Sequence, residues 1–483
     1  MKINWAGFFK FKPGKKNIYI SLGVFVALFA MLAIYINIVY FKDSKELISN
    51  SYNKQEANLM KRNLRGTIYS ADGSILAYSK QNSDGSQTRV YPYGEVFSHA
   101  VGYSAFSKSG IEAEQNYYLI SPADRILDRV KKEAGGQLGS CYSVISTLNL
   151  KMQVLADECL GDREGAVFVT DVKTGKILVL VSHPGFDPGT IEEDWDQISE
   201  TGSTVLLNRV TQGNYPPGSV FKIFTAYEYY REGKDYDSYS FNCNGSFETN
   251  GNRISCFHGL SHGTVDFKQS FAKSCNSSFA NIGTSLNNDD FRKGLSNLLF
   301  DTQLPSGFYN QGISVSEYDI STEFKKLQTS IGQGDTSVSP YHINLVTMAI
   351  ANGGDLMIPY MVDSIEDTRG NQVKKYHPDS FGKLLTDDET EFLKELMRAV
   401  VTDGTGSILK SDMYEAAGKT GSAEFNNRGD SHGWFTGYAP ADDPEIAITV
   451  IVERGGTGSE SAVPIAKQLF DLYFDEIRIE NIR

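Results

Sequence analysis

Residues Asn17 to Phe41 contain no charged side chain and are mostly apolar. Inside a bilayer every backbone N–H and C=O must find its partner within the segment, so such a run can only be a helix. A run of this length spans the roughly 30 Å hydrocarbon core with some tilt. Lys2, Lys10, Lys12, Lys15 and Lys16 precede it, and residues 1–41 hold no Asp or Glu. The positive-inside bias therefore keeps the N-terminus in the cytoplasm and exports the remainder. A cleaved signal peptide has a shorter apolar core ending at small residues, whereas this run ends Asn37-Ile-Val-Tyr-Phe41. The expectation is a basic tail (1–16), a retained single-pass anchor (17–41) and an extracytoplasmic body.

The chain has 483 residues and a net charge of −13, and its first 41 residues carry +5, so the exported part carries −18. That charge disfavours a nucleic-acid partner, which needs a basic footprint. Five cysteines are too few for a disulfide scaffold. Cys243 and Cys256 flank a polar stretch and leave a bridge between them open. No C-x-x-C pair or H-x-x-x-H spacing supports zinc, so neither metal nor cofactor is expected.

Residues 43–64 look like a polar helical stalk. Asp72-Gly73 sits between apolar runs and predicts a β-hairpin, and Tyr91-Pro-Tyr-Gly94 predicts a turn. A helix is expected after Thr147. Gly165–Asp171 and Ile177–Ser182 read as strands joined by a turn. The second is apolar on both faces and is expected at the centre of its sheet. His432–Tyr438 and Ile446–Val452 add strands, while 219–400 is mostly helical, as in Pro340–Ala351 and Asp387–Val401. Strands at both ends with helices between predict an α+β domain whose antiparallel sheet pairs its first and last segments.

Three short motifs carry chemistry. Tyr215-Pro-Pro-Gly-Ser219 stops one helix and starts another, with Ser219 in the first turn and Lys222 one turn on. A serine hydroxyl needs a base to become a nucleophile, and a buried lysine can be one. Lys419 is a candidate for a second cation lowering the Lys222 pKa. Phe221 and Phe224 are expected in the core. Ser274-Cys-Asn276 offers a hydroxyl to relay protons and an amide to hold substrate. Lys419-Thr420-Gly421-Ser422 lies among small residues, the mark of an edge strand on which an extended substrate can pair. Its hydroxyls and lysine charge suit a carboxylate. Each motif alone is commonplace: a capping serine, a turn asparagine, an exposed turn.

Their order and spacing resemble the S-x-x-K, S-x-N and K-T-G set of the penicillin-binding proteins. The chain resembles a monofunctional class B member, a compact penicillin-binding protein 2/A-type D,D-transpeptidase of peptidoglycan synthesis. Arg65-Gly-Thr-Ile, Asn208-Arg209, Gly332-Gln-Gly334 and Ser339-Pro340 extend the resemblance. It implies a small, mixed, β-rich pedestal domain (42–145) before a β-lactamase-like transpeptidase domain (146–483). It also implies that Ser219 is the acylated nucleophile and Lys222 its base. Ser274, Asn276 and Lys419 would complete the catalytic set. Thr420, Gly421 and Ser422 would bind substrate, and the amides of Ser219 and Ser422 would form the oxyanion hole. The implied partners are stem peptides (a D-Ala-D-Ala donor and an amine acceptor), β-lactams as covalent inhibitors, and an integral-membrane glycan polymerase.

Other readings separate on residues. A β-lactamase must hydrolyse its acyl-enzyme, but residues 300–330 lack E-x-x-x-N, since Ser321 follows Glu317 at that spacing. Cys275 stands where class A β-lactamases carry Asp. A D,D-carboxypeptidase is disfavoured by the anchor and pedestal. A bifunctional synthase is excluded because residues 42–145 leave no room for a glycosyltransferase domain. A non-catalytic scaffold predicts a broken motif set, and all three motifs are intact.

Overall fold

The computed structural model describes residues 16–42, 54–199, 202–309, 312–425 and 429–479, in two units divided between Arg62 and Asn63. The first unit contains the helix Lys16–Lys42. Its span Ile18–Tyr35 is the one described helix long and apolar enough to cross a membrane. Leu22, Phe25, Phe29 and Leu32 are all exposed on it, as suits a helix whose surroundings are lipid. The basic tail to Lys15 and residues 43–53 lie outside the described residues. The stalk is helical over Lys54–Arg62. It stops short of the expected end at residue 64, because Asn63–Leu64 pairs as a short strand with Gly139–Ser140.

The second unit holds the expected antiparallel sheet. Its five strands run in the order Ala417–Glu424, Ser431–Ala439, Ile446–Val452, Gly165–Asp171, Ile177–His183. First and last segments pair as predicted, Val452 opposite Gly165 and Ile446 opposite Asp171. Alternate residues serve two cores: Ala166, Phe168 and Leu180 face one, and Val167, Val169, Val179 and Val181 face the other. The helix Pro340–Ala351 contributes to the first core. Leu150–Leu160 and Gly458–Leu472 contribute to the second.

Ile177–His183 is an outer strand, not the central one its composition predicts. Its two apolar faces report helices above and below, which burial requires of any strand in a three-layer stack, rather than neighbours in the plane. The open edge is covered instead by side chains and loops. Gln153 donates from Nε2 to the Leu180 carbonyl at 2.8 Å and accepts the Leu180 amide at 2.9 Å. The Ile177 amide donates to the Tyr360 carbonyl.

A second sheet of six strands runs Gln372–Lys375, Val362–Glu366, Ser143–Ser146, Ile68–Tyr69, Ile75–Gln81, Gln87–Val90. The Asp72-Gly73 hairpin is present, with Gly73 at φ +83°. Two of its strands come from residues 362–375, so the sheet of the region read as a pedestal is completed from the far part of the chain. Arg65, which opens this region, is buried with Glu112, and the partly buried Arg89 reaches the same carboxylate. Burial raises the Glu112 carboxyl, but the two guanidiniums at 2.6 and 2.7 Å outweigh it and hold it below its usual value. Gly66 is fixed by space: a Cβ there would lie 1.8 Å from the Tyr142 carbonyl oxygen.

Candidate active site

Ser219 sits on a 3-10 turn, Gly218–Phe221, which runs into the helix Lys222–Arg231. In a 3-10 turn residues i and i+3 are eclipsed, so Ser219 and Lys222 share a face more tightly than α-helical spacing implies. The turn is held from three sides. Tyr215 exchanges backbone hydrogen bonds with Val338, the Trp434 indole donates to the Pro216 carbonyl at 3.1 Å, and the Gly218 amide donates to the Gly332 carbonyl at 2.8 Å. Gly332 has no room for a side chain, since a Cβ would lie 2.0 Å from the Gly218 carbonyl oxygen at φ +74°. Thus Gly332-Gln-Gly334, distant in sequence, braces the nucleophile turn.

Lys222 is fully buried. Its Nζ donates to the Ser274 carbonyl and to Asn276 Oδ1, both at 2.7 Å, and lies 3.2 Å from Ser274 Oγ. Burial lowers its pKa to about 7, against the opposing pull of Cys275 and Cys256. Lys419, also fully buried, donates to Ser274 Oγ at 3.0 Å and to the Thr420 carbonyl at 2.9 Å. Burial, and then the Lys222 charge, hold it well below a normal lysine. Ser274 Oγ therefore stands between two amines that cannot both be comfortably charged. The ring beside Lys222 is Phe279, 5.4 Å from Nζ, while Phe221 and Phe224 pack with Phe300 in the core as expected.

Ser274-Cys275-Asn276 links the helices Phe267–Ala272 and Asn276–Ser285, as the predicted helix-to-loop turn. Ser274 has φ +57°, a left-handed conformation that a non-glycine residue holds only under constraint. Ala417–Glu424 is indeed an edge strand, paired among the described residues only with Ser431–Ala439. Thr420, Gly421 and Ser422 line a cleft of about 410 Å³ that also contains Ser219, Ser274 and Asn276. All the predicted site residues except the buried amines Lys222 and Lys419 line this space, and both amines bond to Ser274 in its wall.

Several wall residues escape sequence reasoning. Thr405 Oγ1 is 2.5 Å from Thr420 Oγ1, and Ser459 Oγ donates to the Thr405 carbonyl at 3.0 Å. Gly404-Thr-Gly406 is the only hint: a Cβ on Gly404 would strike the Ala272 carbonyl oxygen at 2.2 Å, so this loop must pass close to the second motif. Among the described residues lining the cleft, Glu424 is the one carboxylate, and it is exposed at the end of the edge strand. Glu317 instead pairs through its backbone with Ser337.

The expectation against a metal site meets a contrary geometry. Cys243, Cys256, His262 and Cys275 place their ligand atoms within 4.8 Å of one another. The chain folds them together from separate hairpins and a helix start, which a search for C-x-x-C spacing cannot detect.

Comparison with known proteins agrees with this arrangement. Residues 165–471 match the penicillin binding protein transpeptidase domain, and residues 65–143 match the penicillin binding protein A dimerisation domain. The chain is 28% identical over 448 residues to the peptidoglycan D,D-transpeptidase MrdA of Acinetobacter baumannii, covering 80% of this chain and 66% of that protein. It is 28% identical over 435 residues to the peptidoglycan D,D-transpeptidase PbpA of Mycolicibacterium smegmatis, covering 83% and 87%. A ceftriaxone acyl-enzyme of penicillin-binding protein A from M. tuberculosis superposes with a TM-score of 0.76 at 26% identity, over 85% of this chain and 98% of that one. With the domain match covering more than half of its length, the chain belongs to the penicillin-binding protein transpeptidases.

Proposed function

We propose that this penicillin-binding transpeptidase cross-links peptidoglycan stem peptides through an acyl-enzyme on Ser219. The observation that carries the reading is Ser274 Oγ held between Lys222 Nζ and Lys419 Nζ at 3.2 and 3.0 Å, beneath a cleft that Ser219 lines. A neutral Lys222 has two N–H donors, and two carbonyl oxygens at 2.7 Å take them. Its lone pair is left to accept the Ser219 proton.

Ser219 Oγ attacks the penultimate D-Ala carbonyl as Lys222 takes its proton. The amides of Ser219 and Ser422 receive the oxyanion, the arrangement the family resemblance implies. The tetrahedral centre collapses, the C–N bond breaks, and the Lys222 proton passes through Ser274 Oγ to the departing D-Ala amine. An acceptor amine then attacks the ester and loses a proton along the same path, regenerating Ser219. Thr420 and Ser422, with Lys419 behind them, receive the donor carboxylate, and Asn276 holds its amide. The edge strand offers backbone pairing to the extended peptide. Among the described residues lining the cleft no buried carboxylate stands as a dedicated base for water, which favours aminolysis over hydrolysis.

A β-lactam presents its strained amide to Ser219 and is retained as an ester. The lysine-rich start orients the anchor with the N-terminus in the cytoplasm. Glycan polymerisation then falls to an integral-membrane partner. The test supplies a D-Ala-D-Ala donor peptide and an amine acceptor. Cross-linked product with released D-Ala is expected. Hydrolysed donor alone, with the acceptor ignored, would favour a carboxypeptidase.

A further inference from the structure

We infer that the helix Ile126–Ala134 lies in the headgroup layer of the membrane, on the leaflet from which the stalk emerges. Its apolar stripe enters the outer acyl region, and a basic flank meets the lipid phosphates. Not one of its nine residues is buried. Ile126 is 82% exposed and Leu127 75%, more than any described apolar residue of the membrane helix, where Phe29 leads with 68%. Val130 is exposed as well.

The helix is fastened so that this face points away from the body. Successive residues turn by about 100° around a helix, which brings Ile126, Val130, Ala134 and Leu127 within about 100° of one another. Lys132 falls on the opposite side, and it is the residue that ties the helix down. Its Nζ donates to Asp124 Oδ1 at 2.8 Å and to Ser140 Oγ at 2.7 Å. Asp124 Oδ2 also accepts the Ser140 amide at 2.6 Å.

Chain connectivity names the occupant. Ser140 belongs to the short strand Gly139–Ser140, which pairs with Asn63–Leu64, the first residues after the stalk helix Lys54–Arg62. Between Lys42 and Asn63 stand residues 43–53 and that nine-residue helix. Residues 43–53 reach at most about 38 Å when fully extended, and the helix adds about 13 Å. The strand to which the apolar helix is tied is therefore held within about 50 Å of the end of the membrane helix.

Charge points the same way. The chain beyond residue 41 carries −18, which anionic lipid repels as a whole. The helix departs from that balance. Arg129 pairs with Glu133 at 3.6 Å and Lys132 with Asp124 at 2.8 Å, which leaves Arg125, Lys131 and Asp128 without an ion-pair partner among the described residues. Lys131 borders the apolar stripe, whereas Asp128 lies on the far side of the helix. A cation beside an apolar stripe suits a layer of anionic headgroups, which solvates it. Protein interfaces are depleted of lysine, so a protein is the poorer fit to this face.

This docking does not depend on the chemistry of the cleft, and its test reads contact with lipid. The full chain is placed one copy per nanodisc of phosphatidylcholine with phosphatidylglycerol. Leu127 is replaced by the photocrosslinker p-benzoylphenylalanine, with the exposed Met413 replaced in a second protein to measure stray contact. After irradiation, intact-mass spectrometry should find lipid adducts at position 127 about tenfold or more above those at position 413. Adding Ile126→Asp and Val130→Asp should remove the adduct and speed amide hydrogen exchange over Ile126–Ala134, with the melting temperature unchanged. Lys131→Gln should lower the yield by about fivefold, and discs of phosphatidylcholine alone should lower it by as much or more. Equal adducts at both positions, no lipid adduct at position 127, or a chain-to-chain adduct in its place in discs loaded with two copies would overturn the docking. A yield indifferent to both charge changes would overturn the role given to Lys131.

Discussion

Asn276→Asp converts the neutral acceptor of Lys222 into a charged one of the same shape, at the cost of the Nδ2 hydrogen bond to the Ser255 carbonyl, and so tests whether neutral Lys222 is the base. In the wild type Lys222 titrates at about 7 because burial disfavours its charge. The neutral fraction, and the acylation rate with it, should then rise from pH 5 to pH 8 by about ninetyfold, following a single ionisation. A carboxylate 2.7 Å from Nζ contributes about 6 kcal/mol of attraction at an effective dielectric near 20, and close pairs of this kind shift a pKa by about 1 to 3 units. The direction is upward, so Lys222 stays protonated to higher pH. For a shift of about two units the acid limb moves to about 9, and acylation at pH 7 falls about fiftyfold. Stopped-flow acylation by a chromogenic β-lactam from pH 5 to pH 10 measures this. The deficit should close as pH rises. A wild-type profile that is flat below pH 8, or a variant slowed by one factor at every pH, would refute the assignment.

Three further outcomes concern the frame around the site. Gly332→Ala drives a Cβ into the Gly218 carbonyl, so thermal melts should show a loss of more than about 2 kcal/mol and penicillin labelling should fall further than the folded fraction. Glu112→Gln leaves Arg65 and Arg89 buried without their counter-charge, and denaturant unfolding should show a cost of about 3 to 5 kcal/mol, with labelling per folded molecule unchanged. Gln153→Leu strips the partners from the Leu180 amide and carbonyl; hydrogen exchange should rise along Ile177–His183, with about 1 to 3 kcal/mol lost in stability.

What the sequence makes legible here is local or strongly periodic. The Asp72-Gly73 hairpin, the apolar membrane helix, the paired first and last strands and the edge placement of Lys419-Thr-Gly-Ser422 all follow from turn chemistry, length or side-chain size. Ile177–His183 misled because apolarity on both faces records layers above and below, and is silent about neighbours in the sheet. Two strands of the six-stranded sheet come from residues 362–375, a pairing across more than two hundred residues that no local pattern announces. The same holds for Thr405 beside Thr420, and for the Cys243, Cys256, His262 and Cys275 cluster. Lys419 is expected to lower the Lys222 pKa, but burial is what lowers it, whereas Lys419 is itself lowered by burial and then by the Lys222 charge.

The central claim is that Ser219 forms an ester stable enough to await an amine. Intact-mass spectrometry after incubation with benzylpenicillin, on the wild type and on Ser219→Ala, measures it directly. One penicilloyl adduct that persists on the wild type and is absent from the variant is the predicted result. No adduct on the wild type, an adduct that survives in Ser219→Ala, or one lost as fast as it forms would contradict the account.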